Sequence, residues 1–413
     1  MTTQTAPAMS GTIPPHIPKE LVRDVDIFSI APVDGDIHLG WHALHDGPDA
    51  IYTPRNGGHW IFTRAEDIHA IYRNHKDFSN EIVAVPPVVK SMRFAPAEVD
   101  PPELDQYRRA LAPAFMPKSL ARYEQIARDL AIELIEAFRA KGQCEFQADV
   151  ARHLPIRVFL GMMDLPAEDA PHLMPTVEDQ IRNPDPTALA DSFQAMLDYL
   201  DSRIEDRRRN PGSDLITQII NSDIDGQKAS REQVLSMSAN LMFAGLDTVV
   251  AAMGFAMRFL ATHPEHRQEL RDHPEIIPDA VEELLRYHGI TNLARVARHE
   301  VEVGDVTLGR GDLIVLATTL YGLDERRFPE PEKVDFRRAD KAHLIFGSGV
   351  HRCLGSHLAR TEMRVLLEEW FARIPEFTLV PGEDVKGVSG RNNSIEYVPL
   401  RWDAQGAEGG AHG

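Results

Sequence analysis

The chain is short of cysteine, of basic residues and of any charged leader. Two cysteines in 413 residues, Cys144 and Cys353, are too few for a four-thiolate metal site, and in a reducing compartment they are not expected to pair. Basic residues number 44 against 63 acidic ones, a net charge of -19. That field repels phosphates, so neither nucleic acid nor an anionic membrane is an expected partner. The amino terminus, MTTQTAPAMSGTIPPHIP, has no positive charge before Lys19 and no apolar run. It reads as neither signal peptide nor anchor, and a cytoplasmic protein is expected. No low-complexity linker or internal repeat divides the chain. One domain over residues 1–413 is therefore expected, with 1–18 an extended arm and 403–413 a frayed tail.

What is present is mostly helical pattern. ARYEQIARDLAIELIEAFRA, LADSFQAMLDYLDSRIEDRRR, PDAVEELLRYH and LARTEMRVLLEEWFARI repeat apolar residues at three- and four-residue spacing, with charges opposite. Strand signals are fewer: HWIFTR, VEVGDVTLGRGDLIVLATT, FTLV and IEYVPLRW suggest one small sheet drawn from both ends of the chain. Ser230 and Gln233 form a capping box that opens a helix of about eight turns. From Ala239 to Met257 that helix is almost wholly apolar. Asp247 argues against a membrane span, because a carboxylate at mid-span costs roughly 2.5–3.5 kcal/mol. A buried central helix is expected instead. Its AGLDT stretch places Ala244 and Gly245, both small, one turn before Thr248, so a second body can approach the backbone beside Asp247 and Thr248.

The stretch FGSGVHRCLG, Phe346 to Gly355, places Cys353 in a glycine-rich loop just before a helical pattern. Backbone N–H groups and the positive end of that helix would stabilise a thiolate, as nucleophile or as metal ligand. His351, two residues away in an extended loop, is badly placed as a base for a nucleophile. A phosphate loop, an H-E-x-x-H helix and a C-x-x-C-H attachment site are all missing.

Phe346, Gly349, Cys353 and Gly355 fit F-x-x-G-x-x-x-C-x-G, Glu283 and Arg286 fit E-x-x-R, and AGLDT matches an oxygen-activating helix, all in the expected chain order. The chain thus resembles the cytochrome P450 superfamily, in particular the soluble bacterial camphor-hydroxylase class, across nearly its whole length. DPPELDQYRRAL, CEFQADVARHLPIRVFL, HPEHRQEL and LYGLDER add to that likeness. The resemblance implies a mainly α fold with a small β lobe, a long central helix over haem b (iron protoporphyrin IX), and insertion of one atom of O2 into a substrate. Cys353 would be the axial ligand, its thiolate pushing electron density toward iron. Arg108, Arg295 and His351 would hold the haem propionates. Phe346, Gly349 and Gly355 would shape the haem loop, and Ala244 with Gly245 would let the haem approach the central helix. Leu104 stands where many members carry another propionate-binding histidine. Glu283 and Arg286 would be a structural pair. Asp247 and Thr248 would deliver protons, with Arg182 restraining Asp247 and Met174 in place of a second, lysine partner.

The camphor group fixes a ketone with a tyrosine, and Met92 occupies that place here, while Phe243 replaces a smaller residue. With Val83, these two are expected to line a compact apolar pocket, suited to a cyclic ether such as 1,8-cineole or to a ketone such as camphor. The resemblance also implies electrons from a [2Fe–2S] ferredoxin and its NAD(P)H-dependent reductase. Arg109, Lys118, Arg352 and Arg364 are the expected docking residues, with Arg122 and Arg360 nearby. Relatives that use peroxide, reduce nitric oxide or act as sensors share the fold; peroxide users usually replace the acid–alcohol pair that Asp247 and Thr248 supply.

Overall fold

The computed structural model describes residues 13–88, 92–171, 173, 175–176, 186–383 and 385–404. Of the arm expected over 1–18, residues 1–12 lie outside this set, and Ile17 is already buried. Of the expected tail, 405–413 lie outside it.

Seven helices position the site: α1 (Glu103–Leu111), α2 (Pro117–Arg139), α3 (Leu154–Met163), α4 (Pro186–Arg209), α5 (Arg231–Thr262), α6 (Ile277–Tyr287) and α7 (Ser356–Arg373). In α2 the buried residues Leu120, Tyr123, Ala127, Leu130, Ala131, Ile135 and Phe138 keep the helical period, giving one apolar stripe that packs on α7. α5 is the central element. Its first turn is fixed by the capping box, with the Ser230 hydroxyl accepting from Gln233 N at 3.2 Å and the Gln233 side chain accepting from Ser230 N at 2.9 Å. Pro264, which cannot continue the hydrogen-bond ladder, opens the next helix directly after it. α3, α4 and α7 all pack on α5. By length and composition α5 could cross a membrane, but 65% of its most apolar window is buried within the fold.

The β lobe differs from the single small sheet that the sequence suggested. Strands β1 (Ala50–Thr53), β2 (His59–Phe62), β3 (Phe78–Ser79), β4 (Asn292–Ala297) and β5 (Leu313–Ala317) form one sheet in the order β1-β2-β5-β4-β3. Thr378–Leu379 and Pro399–Arg401 instead pair with Gln143–Glu145 in a separate three-stranded sheet. VEV and VTL, residues 301–303 and 306–308, make only a local hairpin. Strand propensity identifies extended segments; which ones pair is decided by the helices packed between them.

Glu283 and Arg286 are both fully buried and joined by paired hydrogen bonds of 2.8 and 2.9 Å. Arg338 adds a third charge, its Nε 3.0 Å from Glu283 Oε1. Arg286 also donates to the carbonyls of Gly322 and Pro331, at 2.5 and 2.9 Å. The cluster therefore fastens α6 to the irregular segment that leads to the cysteine loop. Burying such a set unpaired would cost several kcal/mol per ion, so its members hold one another in one geometry.

Candidate active site

The cysteine loop is closed by its own backbone. Cys353 N donates to Phe346 O at 2.8 Å, and Arg352 N to Gly349 O at 3.2 Å. Gly347 and Gly349 hold φ of 65° and 70°, a left-handed conformation that a side chain would strain. A Cβ on Gly349 would also stand 3.1 Å from Arg73 Cα and 3.2 Å from Tyr72 O, so the loop lies directly on the end of the helix Ala65–Arg73. Phe346 packs against the core with the Arg360 guanidinium 4.5 Å from its ring centre.

Cys353 is exposed, although protein crowds it enough that burial pushes its thiol pKa up. The Gly355 N–H and the charges of Arg108, Arg360 and Arg352 pull the other way. An exposed sulfur amid dense protein faces an internal space. Ala244 is likewise exposed, in mid-α5, while Met242 is fully buried and Asp247 nearly so. Gly245 turns to α3, where a Cβ would stand 3.3 Å from the Phe159 ring. α7, which begins three residues after Cys353, packs on α5, the helix that carries the AGLDT turn.

Three basic groups converge beside the loop. Arg295, on β4, is 3% exposed; it donates to Ala294 O at 2.7 Å and lies 5.0 Å from the Tyr72 ring centre. Arg108, on α1, is half-buried and makes no ion pair among the described residues. His351 Nε2 is buried without a hydrogen-bond partner, its nearest carboxylate oxygen, Asp100 Oδ1, standing 3.5 Å away. Burial pushes the pKa of all three down, and for His351 the charges of Arg295 and Arg108 add to the fall. Asp100 is the acid among them. Burial opposes its ionisation, but His351, Ser79 Oγ, Asn80 N and Arg298 bring its pKa to about 2.

Asp247 is 4% exposed and accepts from Asn392 Nδ2 at 3.0 Å. Thr248 Oγ1 donates to Ala244 O at 3.2 Å, one turn back. Asn392 is steadied by its neighbour Asn393, a fully buried side chain bonded to Gly289 O, Thr319, Trp41 and Asn292. Arg182 and Met174, expected near Asp247, lie outside the described residues. On the same helix, the Phe243 ring stacks on Phe193 with centroids 6.1 Å apart and meets Phe94 at 5.1 Å. Met92 is half-buried against the core, and Val83 O accepts from Ala294 N at 2.9 Å, next to Arg295.

The basic residues expected on the surface divide in two. Arg109, Lys118 and Arg352 are exposed and form no ion pair among the described residues. Arg364 is shared between Glu124 at 2.7 Å and Glu368 at 2.8 Å, and Arg360 is held by Glu282. Arg122 is exposed and covers the Tyr123 ring.

Residues 169–389 match the family model for cytochrome P450. A probable cytochrome P450 127A1 of Sinorhizobium fredii is 31% identical over 404 residues, covering 95% of this chain and 97% of that protein. Among solved structures, CYP101C1 superposes with a TM-score of 0.88 at 35% identity, covering 95% of this chain and 100% of its own. CYP101J2 gives 0.88 at 34%, covering 94% and 99%. The chain belongs to the cytochrome P450 family, with similarity to its CYP101, camphor-hydroxylase-like members. It is a haem-dependent monooxygenase that needs O2 and a redox partner for electrons. The residues present fit the haem: an exposed sulfur amid dense protein, and beside it the buried Arg295, the half-buried Arg108 and the unpartnered His351 Nε2, donors that two propionates would satisfy.

One buried acid was not singled out by the sequence. Glu362, on α7, is 2% exposed and has no hydrogen-bond partner among the described residues. Burial alone raises its pKa from 4.5 to about 8. A raised carboxyl pKa leaves folding unpenalised below the unfolded value and penalises it increasingly as pH climbs toward the folded one. Glu362→Gln should therefore match the parent near pH 4.5 and gain on it by roughly 3 kcal/mol between about pH 5 and 7.5. Urea unfolding across that range measures it; a gap that does not change with pH would show that Glu362 is ionised in the fold.

Proposed function

We propose that this monooxygenase acts in the cytoplasm, as a single domain, on a compact, mostly apolar monoterpenoid-like substrate, a 1,8-cineole-like ether or a camphor-like ketone. Its electrons come from an acidic [2Fe–2S] ferredoxin served by an NAD(P)H-dependent reductase. The observation that carries the substrate reading is the cluster of Phe94, Phe193 and Phe243 beside the AGLDT turn. Three rings and the Met92 thioether offer apolar area and no hydrogen-bond donor, so they select by shape. Val83 lines the same pocket from the strand side.

When bound, the haem supplies oxygen activation at its iron. Cys353 would give the iron its thiolate ligand; burial pushes the thiol pKa up, and the Gly355 N–H and the flanking arginines oppose that rise. Arg108, Arg295 and His351 would hold the propionates, through charge-assisted hydrogen bonds stronger at such partly or fully buried positions than in water. Thr248 keeps its hydroxyl tethered to Ala244 O while its lone pairs accept a hydrogen bond from an ordered water. Asp247 carries protons inward, and Asn392 holds the carboxylate until it turns. Arg109, Lys118 and Arg352 form the basic patch for the ferredoxin, a local exception to a net charge of -19. Arg364 contributes less, because two glutamates already neutralise it.

Thr248→Ala should keep consuming NADH in a ferredoxin-coupled assay while yielding less product per NADH and more hydrogen peroxide, because proton delivery is misplaced. Product per NADH equal to the parent's contradicts the relay.

Titrating 1,8-cineole and camphor by the Soret spin shift tests the pocket. The ether should bind at least as tightly as the ketone in the parent. Met92→Tyr, which adds one donor worth roughly 0.5–1.5 kcal/mol, should improve camphor relative to cineole about two- to tenfold. Camphor far tighter in the parent, with no dependence on residue 92, refutes the assignment.

A further inference from the structure

A group of metal-ligand side chains stands apart from the cysteine loop and from α5. His45 lies in the 3-10 turn Ala43–Asp46 and is 8% exposed. Neither of its ring nitrogens has a hydrogen-bond partner. Leaving a buried polar atom unsatisfied is costly, and here one imidazole leaves two. Burial lowers its pKa, outweighing the opposing pull of Asp324 and Glu325.

Those same two acids face it. One ligand atom each from His45, Asp324 and Glu325 lie within 4.8 Å of one another. Asp324 is 1% exposed, and its carboxylate is aimed by Ala65 N at 2.7 Å and Arg326 N at 3.0 Å, which leaves a further lone pair on each oxygen. The Glu325 side chain is 53% exposed and free to swing inward. Arg64 is committed through Nε to Asp49 at 2.6 Å, and its Nη1 reaches Asp324 and Glu325 only at 3.5 Å. His42, whose ring centre is 5.3 Å from that of His45, is paired with Glu332 at 2.9 Å. Around the group, the carboxylates of Asp49, Asp324, Glu325 and Glu332 face the guanidiniums of Arg64 and Arg326. Two negative charges are left over, the charge of one divalent cation.

We propose that His45, Asp324 and Glu325 bind a divalent transition-metal ion of the zinc class. One imidazole nitrogen with two carboxylate oxygens suits a borderline ion; calcium and magnesium prefer all-oxygen shells. Tetrahedral bonds of about 2.0–2.2 Å bring ligand atoms to roughly 3.4 Å from one another, a closure that the exposed Glu325 can supply. The ion clips the N-terminal turn to the segment that follows Thr318–Gly322.

Calorimetric titration of the full-length, haem-loaded protein with zinc chloride tests this, alongside His45→Gln and Glu325→Gln. The parent should take up one equivalent at micromolar affinity or tighter, each substitution should weaken it at least about tenfold, and saturating zinc should raise Tm in the parent alone. Glu325→Gln, at an exposed position, keeps the test valid if His45→Gln folds poorly. No stoichiometric uptake by the parent, equal uptake by parent and variants, or magnesium binding as tightly as zinc would overturn the proposal.

Discussion

The hydrogen bond from Cys353 N to Phe346 O closes a loop whose two left-handed glycines let it lie on the end of the helix carrying Tyr72 and Arg73. With that loop closed, the sulfur cannot drift relative to the helix that begins at Ser356, and that helix packs on the central one. The sulfur and the AGLDT turn are thus each carried by a packed element. In the proposed reading, a haem between them would be held by Cys353 on one side, with Asp247, Thr248 and Phe243 on the helix across from it. The chemistry proposed for the two sides depends on this arrangement.

Buried charge is the second constraint. Glu283 pairs with both Arg286 and Arg338, whose other donors reach the carbonyls of Gly322, Pro331, Pro329 and Lys333, so the group fixes α6 against the segment before the cysteine loop. Arg295 and His351 are not held so: their partners are a carbonyl, an aromatic face and an acid at 3.5 Å. A guanidinium kept in the core without a carboxylate partner, as Arg295 is, carries an uncompensated desolvation cost that a bound anion would offset. The same contrast separates the surface arginines, where Arg360 and Arg364 are neutralised and Arg109 and Arg352 are not.

Much of this was legible in the sequence because it is local. Helical period located α2, α4, α6 and α7 within a few residues, and the Ser230–Gln233 pair gave the start of α5. The loop glycines announced their own backbone conformation. Pairing across long separations was not legible. Asn392 reaches Asp247 over 145 residues, Asp100 meets a histidine 251 residues on, and Phe94 and Phe193 find Phe243 from separate segments. An asparagine in a loop, RNNS, carries no signal of its target. The sheet was misjudged for the same reason: each strand is visible by its residues, but its partner is chosen by packing. Glu362 was passed over because its helix reads as ordinary amphipathic pattern, and only burial reveals that this acid faces inward.

The account rests on Cys353 acting as the thiolate ligand, and the absorption spectrum of the dithionite-reduced protein under carbon monoxide tests that most directly. Thiolate ligation predicts the long-wavelength Soret band that gives the family its name, lost in Cys353→His even where haem is retained. A parent spectrum with only the shorter-wavelength band typical of imidazole ligation, or a long-wavelength band that survives in Cys353→His, would contradict it.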